Sequence, residues 1–141
     1  MHSEKTCLIL IRDPARTRDP SVAERSDFLF REVVEPVAID NGFQCVLVDP
    51  ADYGGRDDRL FKLLESADVV VVDGSANSMD YMYSLGVRHA LSDKPTIVFV
   101  EEHFVPFDVT IWRGVHHIKD LSQNNVYILR CRVMLLVWRQ R

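Results

Sequence analysis

The sequence predicts a three-layer α/β sandwich built on a mostly parallel sheet of about five strands. Short apolar runs alternate with helical patterns along the chain, which is the order that parallel sheets require. The clearest run, ADVVVVDG, contains four consecutive valines without polar alternation, as is typical of a central strand buried on both faces. We expect right-handed crossovers between the strands, and in a parallel sheet the carboxyl ends of the strands lie at one edge, where ligands bind in such folds.

Each candidate strand is a short apolar run bounded by charged or turn-forming residues. The first run is closed by Asp13-Pro14, and the second by the turn-rich stretch DPADYGG. Asp73-Gly74 ends the valine run abruptly. The strand candidates cover residues 7–11, 43–48, 67–74, 96–100 and 114–118.

Helical patterns lie between these runs. The polar segment RDPARTRDPSVAERSD predicts a long loop after the first strand, because it contains two Asp-Pro steps. An apolar face over residues 28–37 then predicts a helix that Asn41-Gly42 ends, and Pro36 predicts a kink within it. Further helices are predicted over residues 57–65, with Leu60, Phe61 and Leu64 facing inward, and over Met79–Leu91.

Length, charge and cysteine content limit the possible functions. A chain of 141 residues has the length of one domain, and its formal net charge of -4 provides no basic field that would attract nucleic acid. Cys7, Cys45 and Cys131 are widely spaced and match no zinc pattern, so no metal site is predicted. No apolar stretch reaches the length of a signal peptide or a transmembrane helix, which predicts a cytoplasmic protein without a membrane partner.

The C-terminal segment, residues 121–141, is predicted to form a helix that follows an α/β domain of residues 1–120. Val126, Leu129, Val133 and Leu136 form one apolar stripe of this helix, and a second stripe lies nearly opposite. Because one sheet face buries only one stripe, we expect the second to meet another copy of the chain or a fused or partner domain. A β-strand over VYILRCRV is the alternative, given its β-branched content.

Polar residues cluster directly after the most buried strand. Gly74 lets the backbone pass closely there, and main-chain N–H groups at the start of the next helix can hold a polar or anionic ligand. Asp73 can accept hydrogen bonds from a ribose hydroxyl. The alternative is that Asp73 and Ser75 only cap the turn and the helix. The cluster consists of Asp73, Gly74, Ser75, Asn77, Asp80 and Tyr83.

The segment SADVVVVDGSANSMDYMYSLGVRHALSDKPTIVFV resembles the core of the nucleoside 2-deoxyribosyltransferase-like family, whose fold is related to that of TIR domains. Members of that family carry a strand ending in Asp, a polar loop, and a helix written roughly as N-V-F-Y-E-L-G-I-x-H-A-L. Residues 30–42 are similar to the family's first helix, and VPFDVTIWRGVHHI resembles its late segment. The resemblance implies a flavodoxin/TIR-like sheet with a site for a nucleoside derivative at its edge.

Ser84 occupies the position at which this resemblance places a glutamate, the residue that acts as nucleophile or stabiliser at the anomeric carbon of a ribosyl group. A serine hydroxyl carries no charge to stabilise an oxocarbenium-like centre, and it is a weak nucleophile without a nearby base. The residues after the first strand also depart from the family. Arg12 can pair there with a phosphate or with Asp73, and Asp13 can supply an acid.

Two functions from different classes follow from this departure. The first is a signalling or regulatory pseudoenzyme, a non-catalytic module that binds a nucleotide-like molecule or a protein and has no cofactor. The alternative is an N-glycosidase or ribosyltransferase acting on a nucleoside, nucleotide or NAD, with Asp13, Asp73 or Asp80 as the replacement acid. A response-regulator-like phosphoacceptor at Asp73 is disfavoured, because no acidic pair follows the first strand to bind Mg²⁺. The predicted ligand site comprises Arg12, Asp13, Asp73, Gly74, Ser75, Asn77, Asp80 and Ser84.

Overall fold

Among the residues that the structure describes, five strands form one sheet: β1 (Lys5–Leu10), β2 (Phe43–Val48), β3 (Val69–Asp73), β4 (Thr96–Phe99) and β5 (Val115–Ile118). The computed structural model describes residues 4–12, 18–53, 58–73, 79–99 and 115–118. The spatial order is β2-β1-β3-β4-β5, and every adjacent pair is parallel. The predicted fold class is therefore confirmed.

Helices connect these strands on both faces of the sheet. They are α1 (Pro20–Phe28), α2 (Glu35–Asp40), α3 (Asp58–Ser66) and α4 (Met79–Leu91), with a π-helical segment at Leu29–Val34 and a short 3₁₀ helix at Pro50–Tyr53. None of the helices in the described ranges combines the length and apolarity that a membrane crossing requires. Residues 121–141 lie outside these ranges, so the C-terminal helix, its partner-binding stripe and the domain boundary stay predictions.

Helix α1 begins inside the segment that the sequence predicts to be a loop. The carboxylate of Asp19 caps it, accepting hydrogen bonds from the backbone N–H of Ser21 at 2.9 Å and from its hydroxyl at 2.7 Å. Pro20 follows at the start of the helix, where its missing N–H is not needed. The loop prediction was wrong beyond Asp19, because the second Asp-Pro step starts a helix instead of preventing one.

The helix continues past Pro36 because the turn before it is a wider, π-helical turn. The backbone N–H of Glu35 donates to the carbonyl of Phe30, the hydrogen bond of a π-helix. A proline ring clashes with the carbonyl four residues earlier and offers it no N–H. The π-helical segment absorbs this conflict where the sequence predicts a kink. Gly42, with φ of 80°, follows the end of α2 as predicted.

Two apolar cores cover the two faces of the sheet. In the α1-side core, alternate residues of β1 and β3 pack against α1, the π-helical segment and α2, whereas in the α4-side core the other residues pack against α3 and α4. Strand β3 is buried along its whole length, as the valine run predicts. The α1-side core includes Cys7, Ile9, Val33, Val69 and Val71, and the α4-side core includes Leu8, Leu10, Leu64, Val70 and Leu85.

Arg88, in the last turn of α4, is fully buried at the amino edge of the sheet. Its guanidinium donates to the carbonyls of Leu64 at 2.6 Å, Ala67 at 2.8 Å and Pro95 at 3.1 Å. Its Nε lies 3.3 Å from the hydroxyl oxygen of Thr96. Burial lowers the pKa of Arg88 to about 10. One side chain thus joins α4 to the end of α3, to the turn before β3 and to the start of β4.

Replacing Arg88 by methionine keeps a long side chain but removes every hydrogen-bond donor. The carbonyls of Leu64, Ala67 and Pro95 would then lose the hydrogen bonds that Arg88 donates to them in a buried place. Each of these losses costs about 1–3 kcal/mol of stability. We expect the free energy of unfolding in urea to fall by at least about 3 kcal/mol. The control is Lys62→Met, which removes an exposed cation from α3 and should cost less than about 0.5 kcal/mol. A loss below about 1 kcal/mol for Arg88→Met would contradict this role.

Candidate functional site

The strand order creates a crevice between the carboxyl ends of β1 and β3. The chain leaves these neighbouring strands in opposite directions, to β2 on one side and to β4 on the other, so α1 and α4 lie on opposite faces of the sheet. Doubly wound sheets bind ligands at such a topological switch point. The crevice between β1 and β3 is therefore the candidate site.

Asp73, the last residue of β3, forms part of the crevice wall and is held by α1. It is 1% exposed, accepts a hydrogen bond from the Ser26 hydroxyl at 3.3 Å, and has its Oδ2 3.7 Å from Nε of Arg25. A carboxylate remains charged in such a buried place only when it is paired and hydrogen-bonded. Asp73 thus anchors α1 to the end of β3.

The side chain of Tyr81 is buried near the carboxyl edge of the sheet. Tyr81 lies in the first turn of α4 and is 2% exposed, and its Oη has no hydrogen-bond partner within the described part of the chain. Burial raises the pKa of Tyr81, the negative charges of Asp49 and Asp73 raise it further, and Arg12 acts in the opposite direction. The hydroxyl therefore lies within electrostatic reach of groups at the ends of β1, β2 and β3.

Ser84 lies one turn further along α4 and is 1% exposed. Its Oγ also lacks a hydrogen-bond partner among the residues that the structure describes. Buried polar side chains are nearly always hydrogen-bonded, so each exception calls for a physical explanation. Tyr81 and Ser84 thus place two hydroxyls on one buried face of α4 that have no hydrogen-bond partner within the described residues.

The structure places the predicted site residues in different surroundings. Asp73 and Ser84 are buried, whereas Arg12 is half-buried after β1 and Asp80 is exposed in the first turn of α4. Tyr83, also in the predicted cluster, is 50% exposed, and its ring is tilted against that of Phe61 at a centroid distance of 6.4 Å. The roles of Asp13, Gly74, Ser75 and Asn77 stay predictions, because these residues lie outside the described ranges.

Four residues at this edge of the sheet are absent from the prediction: Arg25, Ser26, Asp49 and Tyr81. The helical period contains a signal for Tyr81, since it lies four residues before Leu85 on the same buried face. The sequence predicts a loop at Arg25 and Ser26. For residues in a loop no inward-facing side can be predicted, so neither residue was identified. Asp49 directly follows β2. An aspartate after a strand is also common in ordinary turns, so its position alone does not identify a site residue.

A cavity of about 370 Å³ lies at the opposite, amino edge of the sheet. Its lining charges balance, and Asp68 is already engaged by the Thr6 N–H at 2.8 Å and by Nζ of Lys94 at 3.6 Å. Doubly wound folds bind ligands at the other edge, so this cavity is not the candidate site. It is lined by Lys5, Phe43, Asp68, Val69, Asp93, Lys94 and Pro95.

No protein-family model and no curated protein matches this chain, but solved structures share its fold. A flavodoxin-like domain from Synechococcus sp. has a TM-score of 0.62 at 16% identity, over 97% of this chain and 99% of that one. The diflavin flavoprotein A3 from Nostoc sp. has a TM-score of 0.61 at 14% identity, over 100% of this chain and 97% of that one. At such identities the likeness shows a flavodoxin-like fold alone.

These neighbours overturn the resemblance to nucleoside 2-deoxyribosyltransferase-like and TIR-like proteins. The functions expected from it were wrong as well, both the signalling pseudoenzyme and the N-glycosidase or ribosyltransferase. The matched motif is a buried strand ending in Asp, a polar loop and a helix, which is the repeating unit of parallel α/β sheets in general. Ser84 is therefore a buried helix residue, and it replaces no catalytic glutamate.

Tyr81→Phe tests whether the buried hydroxyl is unpaired in the ligand-free protein. An unsatisfied buried donor costs about 1–3 kcal/mol, so we expect the variant to be more stable by about 1 kcal/mol in urea unfolding. Its matched control is Tyr83→Phe, which removes an exposed hydroxyl from the same helix and should leave stability unchanged. A loss of stability in Tyr81→Phe would show that the hydroxyl has a partner.

The raised pKa of Tyr81 also predicts a pH dependence. The unfolded side chain ionises near pH 10, whereas the folded one remains neutral to higher pH. The stability that the neutral Tyr81 hydroxyl contributes is thus fully present below about pH 10, and it is lost as the pH rises through the pKa of Tyr81 in the folded state. Wild-type stability should fall more steeply than that of Tyr81→Phe above about pH 10, as measured by denaturant midpoints. Parallel curves would contradict the raised pKa.

Proposed function

We propose that this chain is a flavin-binding domain that holds its cofactor in the crevice between β1 and β3. The observation that carries the proposal is the buried hydroxyl of Tyr81, which lacks a partner among the described residues and lies within electrostatic reach of Arg12, Asp49 and Asp73. The strand order supports it, because flavodoxin-like sheets of this order bind flavin mononucleotide at the switch point of β1 and β3. One structural neighbour is itself named a diflavin flavoprotein.

The residues present fit a phosphorylated flavin, a cofactor that the sequence did not predict. Arg12, half-buried two residues after the end of β1, would be a charge-assisted donor for the phosphate. The hydroxyls of Tyr81 and Ser84 are donors without partners in the described residues, and the flavin ring and its ribityl chain carry carbonyl and hydroxyl acceptors. Asp73 is already engaged by α1, so its role is to hold the wall of the crevice. A bound flavin would supply electron-transfer chemistry.

The proposal includes a cytoplasmic location. Cys7 and Cys45 are both free thiols, although they are register partners on adjacent strands. Reduced thiols in such positions are usual in reducing compartments and unusual in secreted proteins.

Titration with flavin mononucleotide and with riboflavin tests the proposal. We expect flavin mononucleotide to bind one to one with a Kd at or below about 10 μM, followed by its fluorescence. Arg12→Gln should weaken this binding at least about tenfold, because a hydrogen bond between charged groups is worth about 1.5–3 kcal/mol. Riboflavin lacks the phosphate, so its affinity should not change. Arg31→Gln, which alters an arginine that is 69% exposed, is the matched control.

Further outcomes separate the parts of this proposal. Tyr81→Phe should weaken flavin mononucleotide and riboflavin alike, since the hydroxyl would contact a part that both contain. No binding of either flavin at about 100 μM would refute the function. An equal loss for both flavins in Arg12→Gln would refute the assignment of the phosphate to Arg12.

A further inference from the structure

Cys7 and Cys45 lie side by side in the sheet. They are register partners in the parallel pair of β1 and β2, and both side chains pack in the α1-side core. Neighbouring strands are about 4.8 Å apart, within the roughly 4.4–6.8 Å between Cα atoms that a disulfide spans. Both residues are free thiols. The register therefore brings the two Cα atoms within the range of a disulfide that this state of the protein does not contain.

The two thiols differ in access and in acidity. Cys7 is 2% exposed, whereas Cys45 is half-buried on β2, the strand at the end of the sheet order. A hydrogen bond from the Cys7 thiol lowers the pKa of Cys45, against the opposing effects of burial and of Glu35. The same hydrogen bond, together with burial, raises the pKa of Cys7. Cys45 is thus the more accessible and more readily ionised thiol of the two.

We propose that Cys45 and Cys7 form an oxidation site, in which Cys45 reacts first with a hydroperoxide and Cys7 then closes a disulfide between β1 and β2. The pair needs no flavin, and its test contains none. If the protein binds no flavin, the proposed oxidation of Cys45 and Cys7 is unaffected. If the two thiols do not form a disulfide, the flavin proposal is likewise unaffected.

The reaction proceeds in two balanced steps with hydrogen peroxide as the oxidant. The Cys45 thiolate attacks one peroxide oxygen, so that an S–O bond forms, the O–O bond breaks and hydroxide leaves. Hydroxide takes up the proton that Cys45 had lost, giving one water. The Cys7 sulfur then attacks the Cys45 sulfur, an S–S bond forms, and the hydroxyl leaves with the Cys7 proton as a second water. Two thiols are oxidised and one peroxide is reduced.

The disulfide would enclose the whole chain between β1 and β2. That segment contains α1 and with it Arg25 and Ser26, the residues that hold Asp73 at the crevice. A cross-link across such a loop restricts the unfolded chain and stabilises the folded one. Oxidation would therefore reinforce one wall of the crevice.

The experiment uses the full chain with Cys131→Ser, so that the third cysteine cannot take part. After treatment with hydrogen peroxide, the intact mass should fall by about 2 Da, the mass of two hydrogen atoms. Proteolysis should yield one cross-linked pair of peptides that contain Cys7 and Cys45, and dithiothreitol should separate them. The urea midpoint should rise on oxidation and return on reduction. Disulfides between molecules only, or sulfinic acid at Cys45 without a cross-link, would overturn the proposal.

Two further variants test the order of events. Cys7→Ala removes the second thiol, so the sulfenic acid at Cys45 should persist and react with dimedone. Cys45→Ala should leave Cys7 unlabelled, and dimedone on Cys7 would overturn the proposed order. If either variant fails to fold, the folded Cys131→Ser protein gives the answer by alkylation with iodoacetamide. Cys45 should be alkylated before Cys7, and the reverse order would contradict the proposal.

Discussion

The buried guanidinium of Arg88 is the constraint on which the rest of the structure depends. Three backbone carbonyls and one hydroxyl, from the end of α3, the turn before β3 and the start of β4, converge on it. Only arginine presents enough donors in a rigid fork to satisfy acceptors that approach from different segments. Helix α4 is rigid, and Tyr81 precedes Arg88 by about two turns, or roughly 10 Å. Fixing the far end of α4 therefore also fixes the position of the Tyr81 ring at the carboxyl edge.

The two ends of α4 differ in how completely their buried polar groups are satisfied. At the amino edge every nitrogen of Arg88 makes a hydrogen bond, so its burial is explained by structure alone. At the carboxyl edge Asp73 is paired, but Tyr81 and Ser84 are buried without hydrogen-bond partners in the described residues. Since unpaired buried hydroxyls cost stability, this difference among the described residues supports the ligand site proposed at the carboxyl edge.

The sequence predicts those parts of the fold that depend on local pattern. The valine run determines β3, and the bounds of α4 agree with its apolar period. Arg88 could not be recognised, because a charged residue in a helix is normally exposed and only contacts with Leu64 and Pro95 reveal its burial. The bond from Ser26 to Asp73 likewise joins residues far apart in the chain. The motif around Asp73 describes the local unit of strand, loop and helix, and that unit is common to several families with this type of sheet.

The two walls of the crevice are held by different means, and this difference limits what can act on them. The α4 wall depends on the hydrogen bonds of Arg88, a fully buried side chain. The α1 wall depends on the pairing of Asp73 with Arg25 and Ser26, inside the segment that Cys7 and Cys45 delimit. A bond between these thiols would tighten the α1 wall and leave the α4 wall as it is. Because a preorganised wall lowers the ordering cost of binding, oxidation would change ligand affinity through α1 alone.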